Sequence, residues 1–194
     1  MTSLINYHEL FLYDGAENHQ RLMVFVDGEN LSIRFKNLAK EIDLPPGTRY
    51  KEDLYVWSNQ LNNACTKNFN VIRKYYYTSL KGDELKIDQT FRELKEMKIE
   101  APRIFKKTKD NRSKQVDISL ATDMLLHASR KNYDVALLVA GDEDYIPLVQ
   151  AVQSEGCKVN CWFVKEGISD KLIKACDFYY DITNILLSKD IRIS

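Results

Sequence analysis

Strand-length apolar clusters alternate with longer segments of helical period along this chain, and that alternation is what most restricts its fold. Repeated βαβ units around a mainly parallel sheet bury both kinds of segment. Leu22-Met23-Val24-Phe25-Val26 reads as a central strand, covered on both faces. The apolar spacing predicts helices over Leu31–Ile42, ending before Pro45-Pro46, and over Lys51–Lys67, then a strand over Asn70–Thr78. After a turn at Lys81-Gly82-Asp83, a helix over Glu84–Met97 carries Leu85, Phe91, Leu94 and Met97 as its apolar set, and Ile99–Phe105 reads as a short strand. A basic loop, Lys106–Gln115, leads into a helix over Asp117–Arg130. Strand Val135–Ala140, helix Tyr145–Ser154, strand Lys158–Val164, helix Asp170–Ala175 and strand Phe178–Ile182 complete the pattern.

With 194 residues and 44% hydrophobic content the chain supports one full core, and no Pro-, Gly- or Ser-rich linker divides it. Residues 1–20 read as an N-terminal extension, 21–183 as the domain and 184–194 as a C-terminal tail. Lys+Arg and Asp+Glu balance at 28 each, so a polyanion must be met by local patches. Cys65, Cys157, Cys161 and Cys176 are scattered through apolar segments, which predicts buried thiols, a reducing compartment and a cytoplasmic location. Met1–Gln20 has no basic stretch followed by an apolar core, and the longest apolar run is about a strand long, so neither export nor a membrane span is expected. A homo-oligomer stays open.

In an open α/β sheet, ligands collect beyond the carboxyl ends of the strands. Asp27 directly follows the strand ending at Val26, while Asp142 and Asp144 follow the strand ending at Ala140, with Gly141 expected to free the backbone to turn. Pro147 belongs in a helix's first turn, which leaves both later acids above the sheet. Asp117 heads the helical stripe of Leu120, Ala121, Met124 and Ala128 that packs on the sheet. Asp123 lies about 120° round that helix, nearer His127 and Arg130, and is the weaker metal candidate. Plain capping roles compete: Asp117 and Asp144 as helix N-caps, and Asn30 as the cap of a helix starting at Leu31. Four gathered carboxylates, however, would repel one another unless cations neutralised them, and oxygen-only ligation suits Mg2+ or Mn2+.

Three blocks resemble the NYN domains of the PIN-like nuclease superfamily: Val24-Phe25-Val26-Asp27-Gly28-Glu29-Asn30; Lys114-Gln115-Val116-Asp117 with Asp123 six residues on; and Val139-Ala140-Gly141-Asp142-Glu143-Asp144-Tyr145-Ile146-Pro147-Leu148. Ala175-Cys176-Asp177-Phe178 is similar to the family's closing segment, and the resemblance spans roughly Arg21 to Ile182. It implies a three-layer α/β/α domain and a metal-dependent ribonuclease in which Asp27, Asp117, Asp142 and Asp144 bind metal and Asn30 supports the site. Lys114 stands where the family keeps a basic residue. Ala140 replaces the usual serine, Tyr145 the usual phenylalanine, and Glu143 adds an acid.

The implied chemistry is two-metal phosphodiester hydrolysis, which needs no histidine. His8, His19 and His127 show no shared spacing, and the Cys157/Cys161 pair lacks the partners of a zinc site. RNA, as single strands or structured loops, would be held by the basic run Arg103, Lys106, Lys107, Lys109, Arg112 and Lys114 that leads into Asp117. Tyr75, Tyr76 and Tyr77 offer either base-stacking rings or core-filling strand residues. Two other functions compete. One is a non-catalytic nucleic-acid-binding or protein-interaction module of the same fold. The other is a haloacid-dehalogenase-type phosphohydrolase, which expects an Asp where Glu29 stands.

Overall fold

A computed structural model of the chain describes residues 20–41, 43–67, 69–107 and 114–187. Six strands form one sheet: β1 (Arg21–Asp27), β4 (Asn70–Leu80), β5 (Ala101–Lys106), β6 (Val135–Val139), β7 (Lys158–Phe163) and β8 (Phe178–Asp181). Their order is β5-β4-β1-β6-β7-β8 and every neighbouring pair is parallel. The chain winds outward from β1 through β4 to β5, then returns to β6 on the other side of β1 and winds outward again. That reversal leaves a crevice beyond the carboxyl ends of β1 and β6, where an open sheet binds its ligands.

Helices cover both faces of this sheet. On one face lie α1 (Gly28–Glu41), α2 (Asn59–Lys67), α3 (Glu84–Glu96) and α7 (Thr183–Leu187), with Phe35, Leu61, Leu94 and Leu186 buried against Val24, Val26 and Tyr76. On the other lie α4 (Lys114–Ser129), α5 (Ile146–Ser154) and α6 (Asp170–Ala175), with Leu120, Met124, Val149 and Leu172 buried against Phe25 and Leu138. Val24, Phe25 and Val26 are therefore fully enclosed, as an uninterrupted apolar strand requires. Each such side chain contributes about 1.5–3 kcal/mol by leaving water.

Two expectations need correction. The predicted helix over Lys51–Lys67 begins only at Asn59; before it stands an antiparallel hairpin, β2 (Thr48–Lys51) and β3 (Tyr55–Ser58). Aromatic and β-branched residues explain this, since Tyr55, Val56 and Trp57 are all buried and Tyr76 anchors them: its hydroxyl accepts from the Val56 N–H at 3.0 Å and donates to the Val56 carbonyl at 3.1 Å. In α3 the predicted apolar set splits, with Leu94 and Met97 buried while Leu85 and Phe91 are 78% and 41% exposed. Thr90 takes the inward position instead, its hydroxyl donating to the Lys86 carbonyl. Of the two roles open to the three tyrosines the fold takes core filling, since Tyr75, Tyr76 and Tyr77 are all buried. Tyr75 stacks on Phe25, with ring centroids 5.5 Å apart.

β1 passes straight into α1, so the helix starts at Gly28 rather than at Leu31. A Cβ on residue 28 would overlap the Tyr76 ring, and only glycine lets the strand-to-helix corner close against it. Gly28→Ala is therefore expected to cost about 1–3 kcal/mol, read as a lower denaturant midpoint at constant m. An unchanged midpoint would contradict this contact.

Candidate metal centre

Asp27 closes β1, and its Oδ1 accepts the Asn30 N–H at 3.0 Å, so Asp27 and not Asn30 caps α1. Asn30 is free to do something else: its Oδ1 accepts the Gly141 N–H at 3.1 Å, tying α1 to the turn after β6. The sequence predicts that Gly141 frees the backbone to turn, but the turn does not use a glycine-only conformation. A Cβ there would overlap the Phe163 ring and the Gly167 carbonyl, and its φ is not positive. Close approach selects this glycine.

The turn continues as a 3-10 segment over Glu143–Tyr145, capped by Asp142, whose Oδ1 accepts the Asp144 N–H at 3.4 Å. It aims Tyr145 into the site. The Tyr145 hydroxyl stands 2.9 Å from Asp27 Oδ2 and 3.2 Å from Asp117 Oδ1, so one phenol joins carboxylates from β1 and α4. Asp117 lies in the first turn of α4, inside the helix rather than at its cap. Asp27, Asp117, Asp142 and Asp144 all line one cleft of about 500 Å3, which runs on between α4 and α5 past Ile118, Leu125 and Leu148.

These carboxylates differ in environment. Asp27 is only 4% exposed. Burial pushes its pKa up to about 7, against the hydrogen bonds from Asn30 and Tyr145, and the charges of Asp117 and Glu29 push the same way. Asp117 is half-buried and also raised, first by burial and then by the charges of Asp142, Glu29 and Asp144, while the Tyr145 hydrogen bond opposes the shift. Asp142 and Asp144 are exposed. Burial beside two carboxylates also holds the Tyr145 phenol well above its usual range, so it stays a donor.

Glu29, passed over in the sequence except as a mismatch, is buried here and accepts from Ser79 Oγ at 2.5 Å and from Lys107 Nζ at 2.5 Å. Its place in the first turn after Asp27 was the available signal. Of the basic run, Lys107 is thus committed to Glu29, Lys106 is exposed, and Arg103 lies 3.6 Å from Asp123 and over the Tyr75 ring. Lys114 begins α4, and Lys109 and Arg112 lie outside the described residues. Asp123 is not brought into the cleft; its Oδ2 accepts the Tyr77 hydroxyl at 2.9 Å. His127 bonds Tyr75 and Asn132, and Cys65, Cys157 and Cys161 are free buried thiols.

A divalent cation fits this donor set chemically, because its ligands would all be carboxylate oxygens and a buried acid lacks a fixed positive partner. Among the described residues, no three acids or other ligating side chains already stand close enough to enclose one ion.

The mostly parallel six-strand sheet with helices on both faces is an α/β fold consistent with a PIN-like domain. The NYN domain family model matches residues 21–186, and the chain belongs to that family. Its fold is similar to the crystal structure of a protein of unknown function from Vibrio parahaemolyticus RIMD 2210633, at 20% identity and a TM-score of 0.65, covering 90% of this chain and 99% of that one. No curated protein matches. Among the described residues, no helix is long and apolar enough to cross a membrane.

The raised pKa of Asp27 gives a pH dependence of definite sign. A carboxyl whose folded pKa lies above its unfolded value of about 3.9 destabilises the fold once ionised, and the penalty vanishes below the unfolded pKa. In EDTA, Asp27→Asn should melt higher than wild type at pH 8, with the gain shrinking toward pH 4. Equal melting temperatures across that range would show that Asp27 carries no such burden.

Proposed function

We propose that the chain is a metal-dependent ribonuclease that hydrolyses RNA phosphodiester bonds at the cleft of Asp27, Asp117, Asp142 and Asp144, with Mg2+ or Mn2+ as cofactor. The observation that carries this reading is the joining of Asp27 and Asp117 through one Tyr145 hydroxyl, in a cleft that Asp142 and Asp144 also line. When bound there, the cations would supply an activated water and stabilise the leaving 3′-oxygen.

The chain's own residues have distinct parts. The α1 N-terminus fixes one oxygen of Asp27, leaving the other to face the cleft. Tyr145 holds Asp117 at a set separation from it. Asn30, through Gly141, sets the turn that carries Asp142 and Asp144, and is a positioning residue. In this reading the RNA is single-stranded or a structured loop, guided by Lys106, Lys109, Arg112 and Lys114, with Lys107 held back by its pairing to Glu29, and bound without sequence choice. Free buried thiols accord with a cytoplasmic setting.

One observation favours the non-catalytic nucleic-acid module: among the described residues, no three ligating side chains stand close enough together to enclose an ion. Cleavage of end-labelled RNA separates the two. Asp142→Asn should lower Mg2+- or Mn2+-dependent cleavage by about 100-fold or more, with EDTA abolishing it in wild type. Equal inactivity of wild type and variant across both metals would leave the binding module.

A further inference from the structure

Asp142 is a wall shared by two hollows. On one side is the cleft between α4 and α5; on the other is a trough of about 340 Å3 whose lining includes Arg34, Gly141, Asp142, Glu143, Glu166 and Ser169. This trough lies apart from the basic run that the sequence singled out, and Arg34 is the basic residue among its lining.

α1 aims Arg34 there. Asn30 and Arg34 are four residues apart and share a helix face, their Cβ atoms about 5–6 Å from one another. Asn30 is tied to Gly141, and one turn on the stem of Arg34 lies against Gly167, where a Cβ would come within 2.8 Å of Arg34 Cγ. The bare backbone of Gly167 gives that stem its place. Glu143 is already taken by Lys171 and Ser169, each at 3.1 Å. Among the described residues, no ion pair within 4.0 Å ties Arg34 to a carboxylate, and its side chain is exposed.

We propose that Arg34 grips a backbone phosphate of the substrate strand next to the bond that is cut, so that the strand crosses the carboxylates from the Arg34 trough toward the α4–α5 cleft. The proposal rests on the ribonuclease reading. A guanidinium presents paired donors that match two phosphate oxygens, and an exposed one keeps that fork available. Its charge offsets the repulsion that the acidic cluster exerts on a polyanion at the step where the two must meet. Lys107, neutralised by Glu29, is less free to do so.

The test is fluorescence anisotropy of a fluorescein-labelled uridine dodecamer, with Ca2+ in place of Mg2+, on the full chain. Arg34→Gln should raise Kd five- to twentyfold and flatten the slope of log Kd against log salt by about 0.7, the value of one single-strand phosphate contact. Arg34→Lys should restore the slope. If Arg34→Gln binds like wild type while wild type cleaves RNA, the subsite falls and the ribonuclease reading stands. If affinity is lost and Arg34→Lys does not restore the slope, Arg34 acts by packing on Gly167 and the proposal is overturned. A wild type that neither binds nor cleaves RNA removes both readings.

Discussion

The whole arrangement turns on one buried carboxylate. Asp27 ends a central strand of the sheet, beside the switch point where the winding direction reverses, and it is held by an N–H of α1 on one side and the phenol of Tyr145 on the other. Moving it means moving β1, α1 and the turn after β6 together. Burial disfavours its charge, and the neighbouring acids add to that cost. A cation bound in the cleft, as proposed above, would stabilise the charged form of a carboxylate kept in such a place.

Much of this was legible in the chain. β1, β6 and the order of strands and helices follow from apolar clusters separated by segments of helical period, and Asp27, Asp142 and Asp144 stand out because they come directly after strands. Asp117 was found from its helix face. The β2–β3 hairpin was not, because Tyr50 to Trp57 fits a helical stripe nearly as well as a strand until Tyr76 supplies a partner from a distant part of the chain. The inward face of α3 was misread for a related reason: Thr90 can be buried once its hydroxyl bonds back to Lys86, which periodicity of apolar residues does not register.

The site's supporting contacts were the least visible part. Tyr145 is recognisable in sequence as a departure from phenylalanine, yet only the folded chain gives its hydroxyl two acceptors from separate elements. Glu29 sits inside the same motif as Asp27, and its partners Ser79 and Lys107 are 50 and 78 residues away. Gly28 and Gly141 look like turn residues in the sequence. Their real constraint is space, set by the Tyr76 and Phe163 rings that press against them. Polar support of this kind is assembled from long-range contacts, so its logic appears only after the backbone is placed.

These acids are proposed to form one divalent-metal centre. Anomalous diffraction from a crystal soaked in Mn2+ tests it directly. One or two peaks are expected in the cleft, within ligating distance of Asp27 and Asp117, with Asp142 or Asp144 turned inward. An unoccupied cleft in a crystal that shows Mn2+ bound elsewhere would contradict it.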